Sequence, residues 1–154
     1  MSTRSAAVAA ALGLAALSWV AWQTLWAHGG DAEIPWADLT SRTIAQPPIA
    51  GMRVVESREE LLDALTAGSG SATAPPIDFG RRTALLVTAG PRSSTAYGLD
   101  VVSVVEERRR IVVRVRERSP SLATPGAATL TYPFRLITIE RSRKPVSLDR
   151  IGRP

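Results

Sequence analysis

The stretch that decides the fold lies between Asp78 and Val105 and reads DFGRRTALLVTAGPRSSTAYGLDVVSVV. It contains two almost continuous apolar runs, Thr83 to Ala89 and Leu99 to Val105, with a segment rich in glycine, proline and serine between them. Apolar runs of this length that are bounded by turn residues are typical of central β-strands. The sequence therefore predicts two central strands that present an ordered loop over residues 90–98, and loops of this kind often carry a binding site.

In the strand predicted next, side chains alternate with a period of two, which sends aliphatic residues to one face and mostly arginines to the other. The aliphatic residues are Ile111, Val113 and Val115, and the opposite set is Arg110, Val112, Arg114 and Arg116. The turn before this strand spans residues 106–110, and we expect Asp100 and Glu106 to lie opposite arginines as cross-strand pairs. Further strands are predicted at residues 135–141 and 146–148.

One helix is predicted over about residues 57–67, after a short strand at residues 52–56. Ser57 and Glu60 have the spacing of a capping box, in which each side chain accepts a hydrogen bond from the other residue's backbone amide. Gly68 is placed to end the helix. Its apolar face is expected to consist of Leu61, Leu62 and Leu65.

The first part of the chain has a different composition, because residues 5–27 carry no formal charge and are mostly alanine, leucine, valine and tryptophan. A helix of this span would be about 34 Å long, enough to cross a hydrocarbon core of about 30 Å. We therefore predict a signal anchor or signal peptide over residues 1–28, and the weak cleavage sites favour a retained anchor. Arg4 precedes the apolar run and places the N-terminus in the cytoplasm. The rest of the chain is then outside the cytoplasm, anchored to the membrane or, after cleavage, secreted.

These patterns divide the chain into three regions. After the membrane segment, residues 29–50 are predicted to be a linker and docking segment, and residues 51–154 an exported β-rich domain with one helix. The linker is expected to dock once, through its apolar cluster of Ile34, Trp36 and Leu39. The predicted fold class is mainly β (α+β): a small antiparallel sheet or sandwich with one packed α-helix, preceded by an N-terminal transmembrane or signal helix.

The sequence offers little for catalysis. It has no cysteine, and its one histidine, His28, lies beside the apolar segment, so a Ser-His-Asp triad and ordinary Cys- or His-based metal sites are excluded from the exported domain. Ser93 or Ser94 with Lys144 is the one nucleophile pair to consider, and nothing in the spacing supports it. We predict a protein that is not an enzyme, with no cofactor, no metal and no small-molecule substrate.

The formal net charge is +5, and Lys144 is the only lysine among 19 basic residues. Nucleic acid is not expected as a partner of an exported domain, and a compositional bias toward arginine is the simplest explanation of the charge. The alternative is that Arg110, Arg114 and Arg116 bind an anionic envelope polymer or lipid. Such binding would weaken steeply as the salt concentration rises.

Several short motifs follow one another in a recognisable order. They are VVES at residues 54–57, EEL at 59–61, IDF at 77–79, LLV at 85–87 ahead of Gly90, RSSTAY at 92–97, and Pro133 before the strand at 135–141. Their order and spacing resemble those of the PrcB-type protease-complex subunit domain, the PrcB C-terminal-like family. The resemblance implies a small secreted or envelope-anchored bacterial domain that serves as a non-catalytic accessory subunit of a protease complex. The family loop typically has glycine directly before the tyrosine, where this chain has Ala96.

We therefore predict a non-catalytic, envelope-exposed protein-interaction module. Its partner is expected to be an envelope or secreted protein, with a protease as one candidate. Its binding loop would consist of Arg92, Ser93, Ser94, Thr95 and Tyr97, since arginine and tyrosine are favoured at interface hot spots. One alternative is a protease inhibitor of the chagasin-like type, in which the same loop enters a catalytic cleft, and another is the Arg-rich anion binder. If Tyr97 instead faces the core, the loop is only a turn.

Overall fold

A computed structural model of the chain describes residues 31–67, 71–123 and 125–152. The predicted membrane segment, residues 5–27, lies outside the described residues, as do His28 and Gly68. Within the described ranges, no helix combines the length and the apolar character needed to cross a membrane. The elements given below all belong to one compact unit that begins at Ala32.

In this part of the chain, eight strands form two four-stranded sheets, with one α-helix and a short 3₁₀ helix at Thr40–Arg42. The first sheet has the strand order β1-β5-β6-β8, and the second has the order β2-β7-β4-β3. The strands are β1 (Ala32–Glu33), β2 (Trp36–Asp38), β3 (Gly51–Val55), β4 (Arg82–Thr88), β5 (Gly98–Glu106), β6 (Ile111–Arg118), β7 (Phe134–Glu140) and β8 (Val146–Arg150), and the helix is α1 (Arg58–Thr66). The mainly β fold with one packed helix confirms this part of the predicted class, whereas the N-terminal transmembrane or signal helix that it also included lies outside the described residues.

The two sheets pack face to face around the main core, and α1 covers the outer face of the second sheet. β4 contributes to both layers, because Leu85 and Val87 point between the sheets while Ala84 and Leu86 point toward α1. β7 does the same, with Ile137 facing the first sheet. The continuous apolar run of β4 is therefore explained by burial on both faces, as predicted.

β5 departs from this prediction. It lies inside the first sheet, between β1 and β6, but only one of its faces is covered by the main core. An irregularity between Val101 and Ser103 leaves Val102 as an extra residue, 44 % exposed. Val101 and Val104 are three residues apart, and the β-bulge between them lets both face the core. The resulting apolar run therefore has the same sequence pattern as a strand that is covered on both faces.

The alternation predicted for β6 is confirmed on its core face. Ile111, Val113 and Val115 are almost completely buried between the sheets. On the other face Arg116 is exposed and Arg114 half-buried, whereas Val112 is buried. The outer face of this strand is therefore less uniformly polar than the alternation indicated.

The segment predicted as a linker with one docking point joins both sheets. β1 pairs with β5 and β2 pairs with β7, with Pro35 in the step between them. Ile34 and Trp36 pack on the core between the sheets, and Leu39 packs on the core beneath α1. The predicted apolar cluster does dock, but the two edge strands were missed because runs of two and three residues carry no periodic signal.

The helix begins close to where the capping pattern places it. The Ser57 hydroxyl accepts a hydrogen bond from the Glu60 amide at 3.2 Å, while the Glu60 carboxylate accepts from the Glu56 amide at 2.9 Å, one residue earlier than a regular capping box requires. Leu61 and Leu65 are fully buried as predicted. Leu62 is exposed, so its assignment to the apolar face was wrong, and Ala64 takes that place.

The prediction of a wholly antiparallel sheet is wrong at one pair. β8 runs parallel to β6, with Ile111 opposite Val146 and Val115 opposite Arg150. The reason is that β7 belongs to the second sheet, and the chain crosses back to the first sheet before β8. A crossover between sheets reverses the direction that consecutive hairpins would impose.

Candidate functional site

The predicted binding loop lies at the end of the sandwich where β4 stops and β5 starts. Gly90 begins the loop with a φ of +78°, a conformation that favours glycine. A Cβ on Gly90 would lie 3.3 Å from the Ala50 Cβ, so the chain also passes close to the segment ahead of β3. The start of the loop is therefore fixed by the conformation of Gly90 and by the close approach of Ala50, which precedes β3.

The loop does not project alone, because it is hydrogen-bonded to the long segment between β6 and β7, residues 119–133. Arg92 and Thr131 form a β-bridge in which each amide donates to the other's carbonyl at 2.8 Å. The Thr95 amide donates to the Ala127 carbonyl at 3.1 Å, and the Thr95 hydroxyl accepts from the Ala127 amide at 2.9 Å. The two loops therefore form one continuous surface.

Glycine is required on the second loop. A Cβ on Gly126 would lie 2.5 Å from the Ser94 Oγ and 2.6 Å from the Ala96 Cβ, and closer still to the Ala96 amide nitrogen. No side chain can be accommodated at such distances without a backbone shift. The resemblance drew attention to a missing glycine at Ala96, and in the fold the close approach at this turn is made possible by Gly126.

Arg92 is held in place from three sides. Its Nε donates to the Glu117 carboxylate at 2.5 Å, one of its terminal nitrogens donates to the Pro91 carbonyl at 3.0 Å, and its guanidinium carbon lies 5.9 Å from the centre of the Tyr97 ring. The hydrogen bond to Glu117 raises the pKa of Arg92 above its ordinary value, and partial burial offsets part of this effect. Arg92 is therefore charged, and its guanidinium bonds Glu117 while lying beside the Tyr97 ring.

Glu117 connects this loop to the sheets. Its side chain is mostly buried and also lies 3.7 Å from Arg150 at the end of β8. Behind the loop, Asp100 pairs with Arg118 at 2.7 Å and with Arg135 at 3.0 Å, linking β5, β6 and β7. These ion pairs give the loop a stiff base, as binding loops on a rigid scaffold require.

A groove of about 630 Å³ runs between the two loops. Ser93, Ser94 and Tyr97 line one side. Pro120, Leu122, Pro125 and Gly126 lie among the residues of the other side. Tyr97 is half-buried, just ahead of β5, so it is neither a core residue nor a protruding tip. The structure thus brings Arg92, Ser93, Ser94, Thr95 and Tyr97 together, with Thr95 used to bond the second loop.

Sequence analysis missed the second half of this site. Leu122 is fully exposed and Leu130 is 62 % exposed, although both are large aliphatic side chains. Glu117, Gly126 and Thr131 were also missed, because their roles depend on contacts with the first loop. The two leucines gave no signal in the sequence, because single exposed aliphatic side chains are common on protein surfaces.

The predicted arginine row is largely paired with carboxylates. Arg110 lies 2.7 Å from Glu107, and Arg114 lies 3.5 Å from Asp149. Arg116 is exposed and lies opposite Asp100 in the β5–β6 register, although Asp100 forms its ion pairs elsewhere. Much of the row's charge is therefore already compensated within the fold.

The position of Lys144 decides two predictions, the pairing of Glu106 with an arginine and the Ser-Lys nucleophile pair. Lys144 pairs with Glu106 at 2.7 Å and donates to the Glu107 carbonyl, so the prediction that Glu106 pairs with an arginine was wrong. Glu106 ends β5, whereas the loop carrying Ser93 and Ser94 precedes that strand. Nine strand residues span about 26 Å, so the Ser-Lys pair is not assembled.

Comparison with known proteins gives one match. A family model described as PrcB C-terminal matches residues 83–140, which contain nearly all of β4, the whole of β5, β6 and β7, and both loops of the groove. The match confirms the resemblance seen in the sequence motifs. No curated protein and no solved structure matches the chain.

Proposed function

We propose that this chain, whose residues 83–140 match the PrcB C-terminal family, is a non-catalytic interaction module associated with a protease complex. The observation that carries the proposal is the groove between the β4–β5 loop and the β6–β7 loop, since both loops lie inside the matched residues. The family name supports an association with a protease complex, and the groove supplies a surface through which a protein partner can be held.

The groove has the composition of a protein-binding surface. Tyr97 offers a large amphipathic ring that is half-buried and lies beside the Arg92 guanidinium, so little side-chain entropy is lost when a partner packs on it. Leu122 adds an exposed aliphatic side chain on the opposite wall. An aromatic residue held rigidly beside exposed apolar surface is a frequent arrangement at hot spots.

The same geometry argues against a loop that inserts into a catalytic cleft. Arg92 and Thr95 are bonded to the neighbouring loop, so the β4–β5 loop presents a broad surface rather than a narrow edge. We therefore favour an accessory subunit over a chagasin-like inhibitor. Inhibition of cysteine or serine proteases by the full chain at micromolar concentration would reverse this preference.

Tyr97→Ala is expected to weaken binding of the partner by about thirtyfold, the effect of losing a hot-spot side chain. The measurement is photo-crosslinking in the native host, with the crosslinking amino acid placed at Leu122 and the captured protein identified by mass spectrometry. We expect one dominant captured protein, which is lost when Tyr97→Ala is combined with the probe.

A crosslinker placed at Val102, exposed on the bulge of β5, provides the matched control because it lies outside the groove. A second variant, Leu122→Ser, changes a fully exposed residue and so tests the groove without any effect on folding. Equal capture from both probe positions, or Leu122→Ser and Tyr97→Ala proteins that retain full binding, would refute the groove as the interface.

We also propose that the folded unit functions outside the cytoplasm. The uncharged, apolar residues 5–27 that follow Arg4 support this location. We expect a tag fused after Pro154 to be digested when a protease is added to intact spheroplasts. A tag that is protected until the cells are lysed would place the unit in the cytoplasm and contradict the proposal.

A further inference from the structure

A second cavity lies at the opposite end of the sandwich from the loop groove, where β4 begins and β7 ends. It has a volume of about 730 Å³. Val54, Ile139 and Val146 supply aliphatic walls, and Arg141, Arg143 and Lys144 lie at its rim on the β7–β8 connection. This combination of aliphatic walls and cationic rim is not explained by the packing of the two sheets.

One residue that lines the cavity, Thr83, carries a hydroxyl that is buried in the cavity wall and has no partner among the described residues. Thr83 is 3 % exposed, and its Oγ1 has no hydrogen-bond partner among the described residues. Thr83 lies two residues before Leu85 on β4, so the two side chains share the face that points between the sheets, and Thr83 lines this cavity. Buried polar groups are nearly always hydrogen-bonded, because an unpaired one retains its full desolvation cost. A bound group would reach this hydroxyl after a rotation of the Thr83 side chain about χ1, and would give it the partner that it lacks.

The charge around the cavity favours an anion. Arg143 is exposed, and none of the ion pairs formed within the described ranges includes it. Arg141 lies 3.7 Å from Glu56, which also lines the cavity, and Lys144 pairs with Glu106 outside it. Three cations and one carboxylate therefore line the cavity, and Arg143 keeps its charge available.

We propose that this cavity binds a carboxylate carried on an aliphatic body. The carboxylate meets Arg143 and, once the Thr83 side chain has rotated about χ1, the Thr83 hydroxyl. The aliphatic part packs on Val54, Ile139 and Val146. The site is separate from the loop groove and does not depend on the proposed function, so either can fail without the other. A bare anion such as phosphate would leave the aliphatic walls without a partner.

The test uses methyl NMR of the full chain, with the methyl groups of Thr83 and Ile139 labelled, and hexanoate as the probe. Eight non-hydrogen atoms correspond to a dissociation constant of about 1 mM, so saturable shifts of both methyls are expected. Hexanamide has the same shape but no charge, and we expect it to bind more weakly than hexanoate by a factor of about five or more. The absence of any methyl shift with hexanoate up to about 20 mM would overturn the proposal. A water molecule would then be the partner of the Thr83 hydroxyl.

Three variants distinguish specific contacts of Thr83 and Arg143 with hexanoate from a general effect of the protein's net charge. Thr83→Val keeps the shape of the side chain and is expected to weaken hexanoate binding about fivefold, and Arg143→Gln about threefold. Arg116→Gln removes the same charge from the outer face of β6 and is expected to change nothing. If Thr83→Val does not fold, Arg143→Gln decides. Equal binding of hexanamide, equally strong shifts with phosphate, or an equal loss in Arg116→Gln would each overturn the proposal.

Discussion

Leu61→Ala is expected to lower the free energy of unfolding by about 2–5 kcal/mol, the range for removing a large aliphatic side chain from a well-packed core. Leu61 is 0 % exposed and packs with Val55, Leu65 and Leu86, which connect α1 to the outer face of the second sheet. The cavity left by the substitution cannot be filled from the solvent side, because neighbouring core residues already surround it. Urea unfolding of the full chain, followed by circular dichroism, measures the change.

Leu62→Ala is the matched control, since the two leucines are adjacent in α1 and are the same residue type. Leu62 is 36 % exposed, so its loss is expected to cost less than about 1 kcal/mol. Equal destabilisation by the two substitutions would mean that the helix is rotated relative to the sheet, and would contradict the core described above.

Gly126→Ala is expected to destabilise the folded unit by about 1–3 kcal/mol and to separate the two loops of the groove. The added Cβ would meet the Ser94 hydroxyl and the backbone of Ala96, and a backbone cannot move aside as the end of a side chain can. Because the β-bridge between Arg92 and Thr131 depends on this close approach, their amides should exchange faster with solvent. Hydrogen exchange by NMR measures this directly.

Gly80→Ala is the control for Gly126→Ala. A Cβ at Gly80 would lie 3.1 Å from Asp78 Oδ1, which accepts a hydrogen bond from the Gly80 amide at 3.0 Å, so any strain is confined to an exposed turn outside the groove. We expect this variant to leave exchange at Arg92 and Thr131 unchanged. Unaltered exchange at those amides in the Gly126→Ala protein would show that the two loops do not depend on their close packing. The groove would then no longer be a single preformed surface.

The elements that the sequence predicted correctly share one property. The strands β4, β6 and β7 and the start of α1 are specified by residues that are neighbours along the chain, through periodicity or capping. Burial of β4 on both faces could be inferred from its unbroken apolar run, because the alternating side chains each need an apolar environment. The loop at residues 90–98 was located in the same way, from the strands on either side of it.

The misassignments share the opposite property. The bulge at Val102, the exposure of Leu62 and the parallel pairing of β8 depend on which face or strand each residue meets. Likewise, Lys144 pairs with Glu106 across 38 residues of sequence. Such contacts between distant segments leave no local pattern, and a short amphipathic helix tolerates more than one rotation about its axis on pattern alone.

By itself, the sequence determined that this protein has a β-rich unit with one capped helix, that a loop joins its central strands, and that the PrcB C-terminal resemblance falls on this region. Local periodicity and turn chemistry are sufficient for these conclusions. Only the tertiary structure decided that the loop is half of a groove and that Arg92 lies beside Tyr97. It also revealed the unpaired Thr83 hydroxyl in the wall of a basic-rimmed cavity. These features arise where segments far apart in the chain meet, and burial, hydrogen bonding and charge pairing at such meeting points are properties of the folded arrangement.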